Sequence, residues 1–136
     1  MNVLFICKWN VGRSPIAEVL FNKYSKKNNA TSSGTHAQKY AGVKLSEVSP
    51  YVINCMKEWK FDLSNHTQTP LTKEQVDQVN KIIVMTEKEN LPDYLKHSNK
   101  VIFWDVEDRA GKDYKSHIKM RNQIDKLVKE LINVVG

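Results

Sequence analysis

Cysteine is intrinsically a strong nucleophile, and this chain of 136 residues has only two, Cys7 and Cys55. Cys7 opens the stretch Cys-Lys-Trp-Asn-Val-Gly-Arg-Ser, which places Arg13 five intervening residues away. Five residues are enough for a backbone to curl so that successive N–H groups point inward and form a nest for an anion. Arg13 adds a planar fork that matches two oxygens of a phosphate. The same amides, with the N-terminus of a following helix, hold a thiolate at Cys7, and Ser14 stands where its hydroxyl can donate to that sulfur. The predicted chemistry is attack by sulfur on a bound phosphate-like anion. Lys8, Trp9, Asn10, Val11, Gly12, Arg13 and Ser14 form the predicted cradle. The Cys-x5-Arg spacing is a weak signal by itself; its weight comes from where it falls in the chain.

That place is set by the flanking elements. Asn2 to Ile6 is a short apolar run that reads as a fully buried strand. Ser14-Pro15 reads as a helix start, with Ser as the cap and Pro in the first turn. Ile16, Ala17, Leu20, Phe21 and Tyr24 recur at helical spacing and are expected to face the core. Ala30 to Ser33 is predicted as a second strand, stopped by Gly34, and Thr35 to Ser49 as a loop. Helices are predicted over Pro50 to Trp59 and from Thr72, where Thr-Lys-Glu-Gln is a capping box. Lys81 to Met85 and Val101 to Trp104 complete the strands, with an interrupted helix over Glu87 to His97 between them. Asp113 to Val135 is a long amphipathic helix. Strands alternating with helices imply an α/β fold: one doubly wound domain over residues 1–136, with a four-stranded parallel sheet covered by helices on both faces. In such sheets ligands bind beyond the carboxyl ends of the strands, where Cys7 falls.

Composition narrows the function classes. No apolar run approaches the roughly 20 residues of a membrane span, and MNVLFI breaks too early for an export signal, so a cytoplasmic protein is expected. The cysteines lack the paired spacings of a zinc site or a disulfide scaffold, and no metal is expected. A net charge of +6 raises nucleic acid as a partner, but of the 21 basic residues only three are arginines. The lysines are spread over nearly every segment, as on a solvated surface, so neither nucleic acid nor membrane is the expected partner. A positive field also gathers anionic substrates.

The stretch VLFICKWNVGRSPIAEVLF resembles the opening of the low-molecular-weight protein tyrosine phosphatases and their arsenate-reductase relatives. The resemblance continues through Ser32-Ser-Gly-Thr35, Asp62-Leu-Ser-Asn-His66 with Leu71-Thr72, Ile83-Val-Met85 and Trp104-Asp-Val-Glu-Asp108. It implies that Cys7 forms a cysteinyl-phosphate, that Arg13 and the loop amides stabilise the equatorial oxygens, and that Asp108 is the general acid. It further implies that Asn10, Ser14, Ser32 and His66 fix the loop, and that no cofactor is needed. The implied partner is a phosphorylated substrate, a phosphotyrosine protein or a small aryl phosphate; the resemblance implies no oligomeric state. The chain departs from the family's pattern at Trp9 for Gly, Gly12 for a second Cys, Thr86 for Asp, and Arg109 for the Pro after the acid, with no aromatic following. The missing second Cys puts redox protection of Cys7 in doubt, and the absent aromatics a preference for phosphotyrosine.

Other readings stand beside these. Asp105 is a rival acid, nearer the end of the fourth strand. Cys55, on the apolar side of its helix, reads as inert core rather than a resolving thiol, and Trp59 and Trp104 also read as core. His36, His97 and His117 read as surface residues. A thiol-coupled arsenate reductase using Cys7 without an internal disulfide cascade is the main alternative function. A non-catalytic phosphate-binding module is the other, against which Cys7, Arg13 and Asp108 together argue.

Overall fold

The computed structural model describes residues 1–136. β1 (Asn2–Cys7) buries every side chain after Asn2 and alternates its faces. Val3, Phe5 and Cys7 face α1 (Arg13–Tyr24), α3 (Pro50–Lys57) and α6 (Tyr114–Val135), meeting Ile16, Leu20, Phe21, Met56 and Ile124 in the larger core. Leu4 and Ile6 face the opposite layer of α4 (Lys73–Gln78) and α5 (Asp93–Lys96), packing on Val76 and Leu95. Each such side chain removed from water contributes about 1.5–3 kcal/mol, so a strand buried on both faces fixes the centre of the sheet.

β2 (Asn29–Gly34), β3 (Lys81–Val84) and β4 (Val101–Phe103) complete a parallel sheet of order β2-β1-β3-β4. The chain leaves β1 toward β2 on one side and returns to β3 on the other, so the topological switch point lies at the carboxyl end of β1. That is where Cys7 sits, in register with Gly34. The α/β fold expected from the alternating pattern is the one observed. The capping box of Thr72 and Gln75 is present in full at α4.

Two local readings of the sequence change. α1 begins at Arg13, with Gly12 as its N-cap and no side-chain cap, so Ser14 lies inside the first turn and is freed for another partner. Thr35 to Ser49 is not featureless: a 3₁₀ turn spans Gln38–Tyr40 and a short helix, α2, spans Leu45–Val48. No periodicity marks either, because each is a single turn set by its tertiary neighbours. α6 is fixed to α3 by the buried Arg121, whose Nη1 donates to the Cys55 carbonyl (2.7 Å) and to Glu58 Oε1 (3.0 Å). Its guanidinium carbon lies 4.1 Å from the Trp59 ring centroid, and Trp59 and Trp104 both pack on the larger core. No helix is long and apolar enough to cross a membrane.

Candidate active site

The loop between Cys7 and Arg13 is held by a side chain in an unusual backbone conformation. Asn10 has φ of 56°, the left-handed region that costs an ordinary residue about 1–2 kcal/mol and that asparagine tolerates best. Its fully buried amide repays that strain in three directions. Oδ1 accepts from the Thr69 N–H (2.8 Å), and Nδ2 donates to Ser14 Oγ (2.8 Å) and Ser32 Oγ (3.0 Å). Both amide hydrogens are then spent, which orients the neighbouring hydroxyls. Ser32 donates onward to Glu18 Oε1 (2.6 Å). The Ser14 hydrogen has two acceptors, Cys7 Sγ at 3.0 Å and the Ser33 carbonyl at 3.4 Å, and the sulfur is the nearer. The hydroxyl freed from capping is thus hydrogen-bonded to the nucleophile, and when Cys7 is a thiolate only the hydroxyl has a hydrogen to donate.

Behind the loop, the end of β2 acts as a template. Thr35 N and His36 N donate to the carbonyls of Cys7 and Lys8, Gly34 N donates to Thr69 O, and Leu71 N to Gly34 O. Gln68, buried, donates from Nε2 to the Trp9 carbonyl (2.9 Å). Gln68 and Thr69 are therefore the braces of the loop on this side. His66, the brace implied by family resemblance, is not: its Nε2 is buried with no partner. It lies in a polar cavity with Glu18 and Ser32, and burial pushes its imidazole below the ordinary value. On this side of the loop the Asn10 Oδ1 accepts instead from the main-chain N–H of Thr69.

Arg13 is 4% exposed. Its Nη1 donates to the carbonyls of Met85 and Val106, locking the guanidinium plane, while Nη2 lies 3.8 Å from Asp108 Oδ2. Asp108 is 39% exposed and stands with Cys7 and Arg13 in one cleft of about 960 Å³. Its Oδ1 accepts from the Ala110 N–H (3.0 Å), a turn that fixes the start of the loop. Asp105 does not line the cleft; its carbonyl is tied to Gln123 Nε2 (2.8 Å). Arg109 turns its guanidinium to Glu107 (3.3 Å) rather than to the neighbouring acid. No group of three or more His, Cys, Asp or Glu side chains is placed to hold a metal ion.

The cleft has aromatic walls although no aromatic directly follows Asp108. Trp9 turns outward and packs edge-on against Tyr40 (centroids 6.2 Å) and His36 (5.9 Å), and Tyr51 lies on the α3 side. His117, read from sequence as a surface residue, is 5% exposed and lines the same cleft. Its spacing from Met120, Ile124 and Val128 on the inner stripe of α6 is the signal that identifies it. Cys55 is fully buried, and desolvation pushes its thiol up to about 11, outweighing the nearby Arg121 charge.

Fold and loop together define the class: a doubly wound domain with a thiol and a locked guanidinium side by side in one cleft at its switch point. The family model of the low molecular weight phosphotyrosine protein phosphatases matches residues 2–136. Arsenate reductase 1 of Staphylococcus haemolyticus is 28% identical over 130 residues, covering 94% of this chain and 92% of that one. The protein-arginine-phosphatase of Bacillus subtilis is 23% identical over 143 residues, covering 96% and 94%. The low molecular weight protein tyrosine phosphatase of T. tengcongensis superposes with a TM-score of 0.86 at 28% identity, covering 98% of each chain. This chain belongs to the low molecular weight phosphotyrosine protein phosphatase family and is a cysteine-dependent phosphatase.

Proposed function

We propose that the chain hydrolyses aryl phosphate monoesters, phosphotyrosine foremost, with Cys7, Arg13 and Asp108 as its catalytic residues. The observation that carries this reading is the directed set of hydrogen bonds from Asn10 through Ser14 to Cys7, facing the same cleft as Arg13 and Asp108. The Cys7 sulfur forms a bond to phosphorus as the ester P–O bond breaks, and Asp108 gives its proton to the departing oxygen. Asp108, now a carboxylate, takes a proton from water as the water oxygen attacks phosphorus. The S–P bond breaks, releasing inorganic phosphate and the Cys7 thiolate. Charge on the equatorial oxygens is met by the loop amides and the Arg13 guanidinium, fixed in advance by Met85 and Val106.

The aromatic walls of Trp9, Tyr40 and Tyr51 support an aryl leaving group, which buries its ring there. Two free cysteines suit a reducing compartment, which supports the cytoplasm as the place of action. The relatives named arsenate reductase favour a second reading, reduction of arsenate at Cys7. Within this chain Cys55 is a poor resolving thiol, being buried and held protonated, so that reaction needs an external thiol. Phosphate release from p-nitrophenyl phosphate, measured beside arsenate reduction coupled to an added low-molecular-weight thiol, separates the two. Reduction without phosphate release overturns the phosphatase assignment.

A further inference from the structure

The inner stripe of α6 runs His117, Met120, Ile124, Val128. Met120 is the member that reaches the loop, its Cε 3.1 Å from where a Cβ on Gly12 would stand. His117 lies three residues earlier on the same face, about 4.5 Å along the helix axis at 1.5 Å per residue, toward the acid loop and the mouth of the cleft. It therefore meets the part of a substrate that lies beyond the phosphate.

Its ring is fixed twice. The Tyr51 ring packs edge-on at 5.3 Å, and Nδ1 lies 2.9 Å from the Asp113 carbonyl. A carbonyl only accepts, so Nδ1 carries a hydrogen, and in the neutral imidazole Nε2 is a lone-pair acceptor. Nε2 has no protein partner, and unlike Nε2 of His66 it is not sealed from the cleft. The buried side chain lines the cleft with Nδ1 spent on the Asp113 carbonyl and Nε2 unpartnered, so it has one hydrogen bond left to accept. Other acceptors line the cleft, the Tyr51 and Ser49 hydroxyls and the Asp113 carboxylate, but Asp113 is exposed and already accepts the Ser116 N–H, whereas His117 is buried and held in one orientation.

We propose that His117 is a specificity residue: Nε2 accepts a hydrogen bond from an amide N–H carried by the leaving group, as in a phosphotyrosyl residue within a peptide. The proposal rests on the phosphatase reading and deepens it, because it favours phosphotyrosyl amides over bare aryl phosphates. It also separates substrates that bind the loop equally well.

The test uses two esters that differ only in that donor: N-acetyl-phosphotyrosine methyl ester, and the O-phosphate of methyl 2-acetoxy-3-(4-hydroxyphenyl)propanoate of the same configuration, in which an oxygen replaces the N–H. Phenyl phosphate reports on the loop itself. The wild-type protein is expected to favour the first ester in kcat/KM by roughly three- to tenfold, the fold-change that one neutral hydrogen bond carries. His117→Phe removes that preference, and His117→Gln, which keeps an acceptor, restores part of it. Equal kcat/KM for the two esters in the wild type overturns the proposal without any variant. So does a preference that survives in His117→Phe, or a uniform loss on all three substrates in both variants, which assigns His117 to helix structure. Absence of phenyl phosphate turnover in the wild type overturns the phosphatase reading itself, and the proposal with it.

Discussion

Gly34→Ala tests how tightly the phosphate loop is moulded on β2. A Cβ at this position stands 2.8 Å from the Asn10 nitrogen, 2.9 Å from the Lys8 oxygen and 2.9 Å from the Trp9 carbonyl carbon. All three are backbone atoms of the loop, so no flexible side chain can swing aside. Ordinary contact begins near 3.4 Å, and the loop must retreat by at least about half an ångström. Overpacking of this kind costs about 1–3 kcal/mol, while the lost glycine freedom of the unfolded chain returns about 0.4–1 kcal/mol. The clash wins, and a fall in Tm of several degrees is expected. Activity suffers more. The displaced atoms flank the left-handed Asn10, whose amide aims Ser14 at Cys7, and a misplacement approaching 1 Å costs on the order of 10²-fold in rate. Thermal denaturation and kcat/KM on p-nitrophenyl phosphate measure the two effects. Gly42→Ala is the control: its φ of +82° is strained for alanine, but nothing lies within 4 Å, so stability falls while kcat/KM holds. A Gly34→Ala protein with wild-type kcat/KM refutes the view that β2 shapes the loop.

Asp108→Asn should slow alkyl or tyrosine phosphates by roughly 10²–10⁴-fold and p-nitrophenyl phosphate less, since a stable anion departs without a proton. Asp105→Asn, outside the cleft, should show no such leaving-group dependence; the reverse pattern moves the acid three residues earlier. Arg13→Lys should be nearly as inactive as Arg13→Ala, because one ammonium cannot hold the Met85 and Val106 carbonyls and also present a fork to the anion; recovery of most activity by lysine contradicts this. Burial raises the Glu18 carboxyl above its ordinary 4.5, the Ser32 hydrogen bond opposing this only in part. A carboxyl raised in the folded state favours folding in its protonated form, so its contribution is lost as pH rises from about 4.5 through the folded value. Glu18→Gln should remove that part of the stability–pH slope, as read by urea denaturation across pH, and an unchanged slope sinks the assignment.

The loop was legible because its signals agree at several levels. A two-sided apolar strand, a Cys-to-Arg span long enough to curl, and a proline compatible with a first helical turn all point to one place at the sheet's carboxyl edge. Ser14 was misjudged as a cap because the rule weighs local hydrogen bonding, whereas here Asn10 and the Cys7 sulfur claim the hydroxyl. The bracing of the loop was legible only in part. Thr69 acts through its main-chain N–H and Gln68 through a side chain 59 residues away from its partner, neither of which leaves a mark in residue type or spacing. Two of the three aromatic wall residues escaped for a similar reason: Tyr40 comes from a 3₁₀ turn with no periodicity, and Tyr51 from the first turn of α3. His117 is different, since its place on the inner stripe of α6 was present in the spacing, and its polarity outweighed that spacing in the reading.

A covalent phosphoryl group on Cys7 is the central claim. Acid quench of the protein during turnover of an aryl phosphate, with peptide mass spectrometry, reads it directly, and Asp108→Ala, in which water attack lacks its base, should accumulate the adduct. The account predicts one phosphoryl increment on the peptide that carries Cys7, absent from Cys7→Ala. Phosphate release that continues in Cys7→Ala, or a phosphoryl group found on another residue, contradicts it.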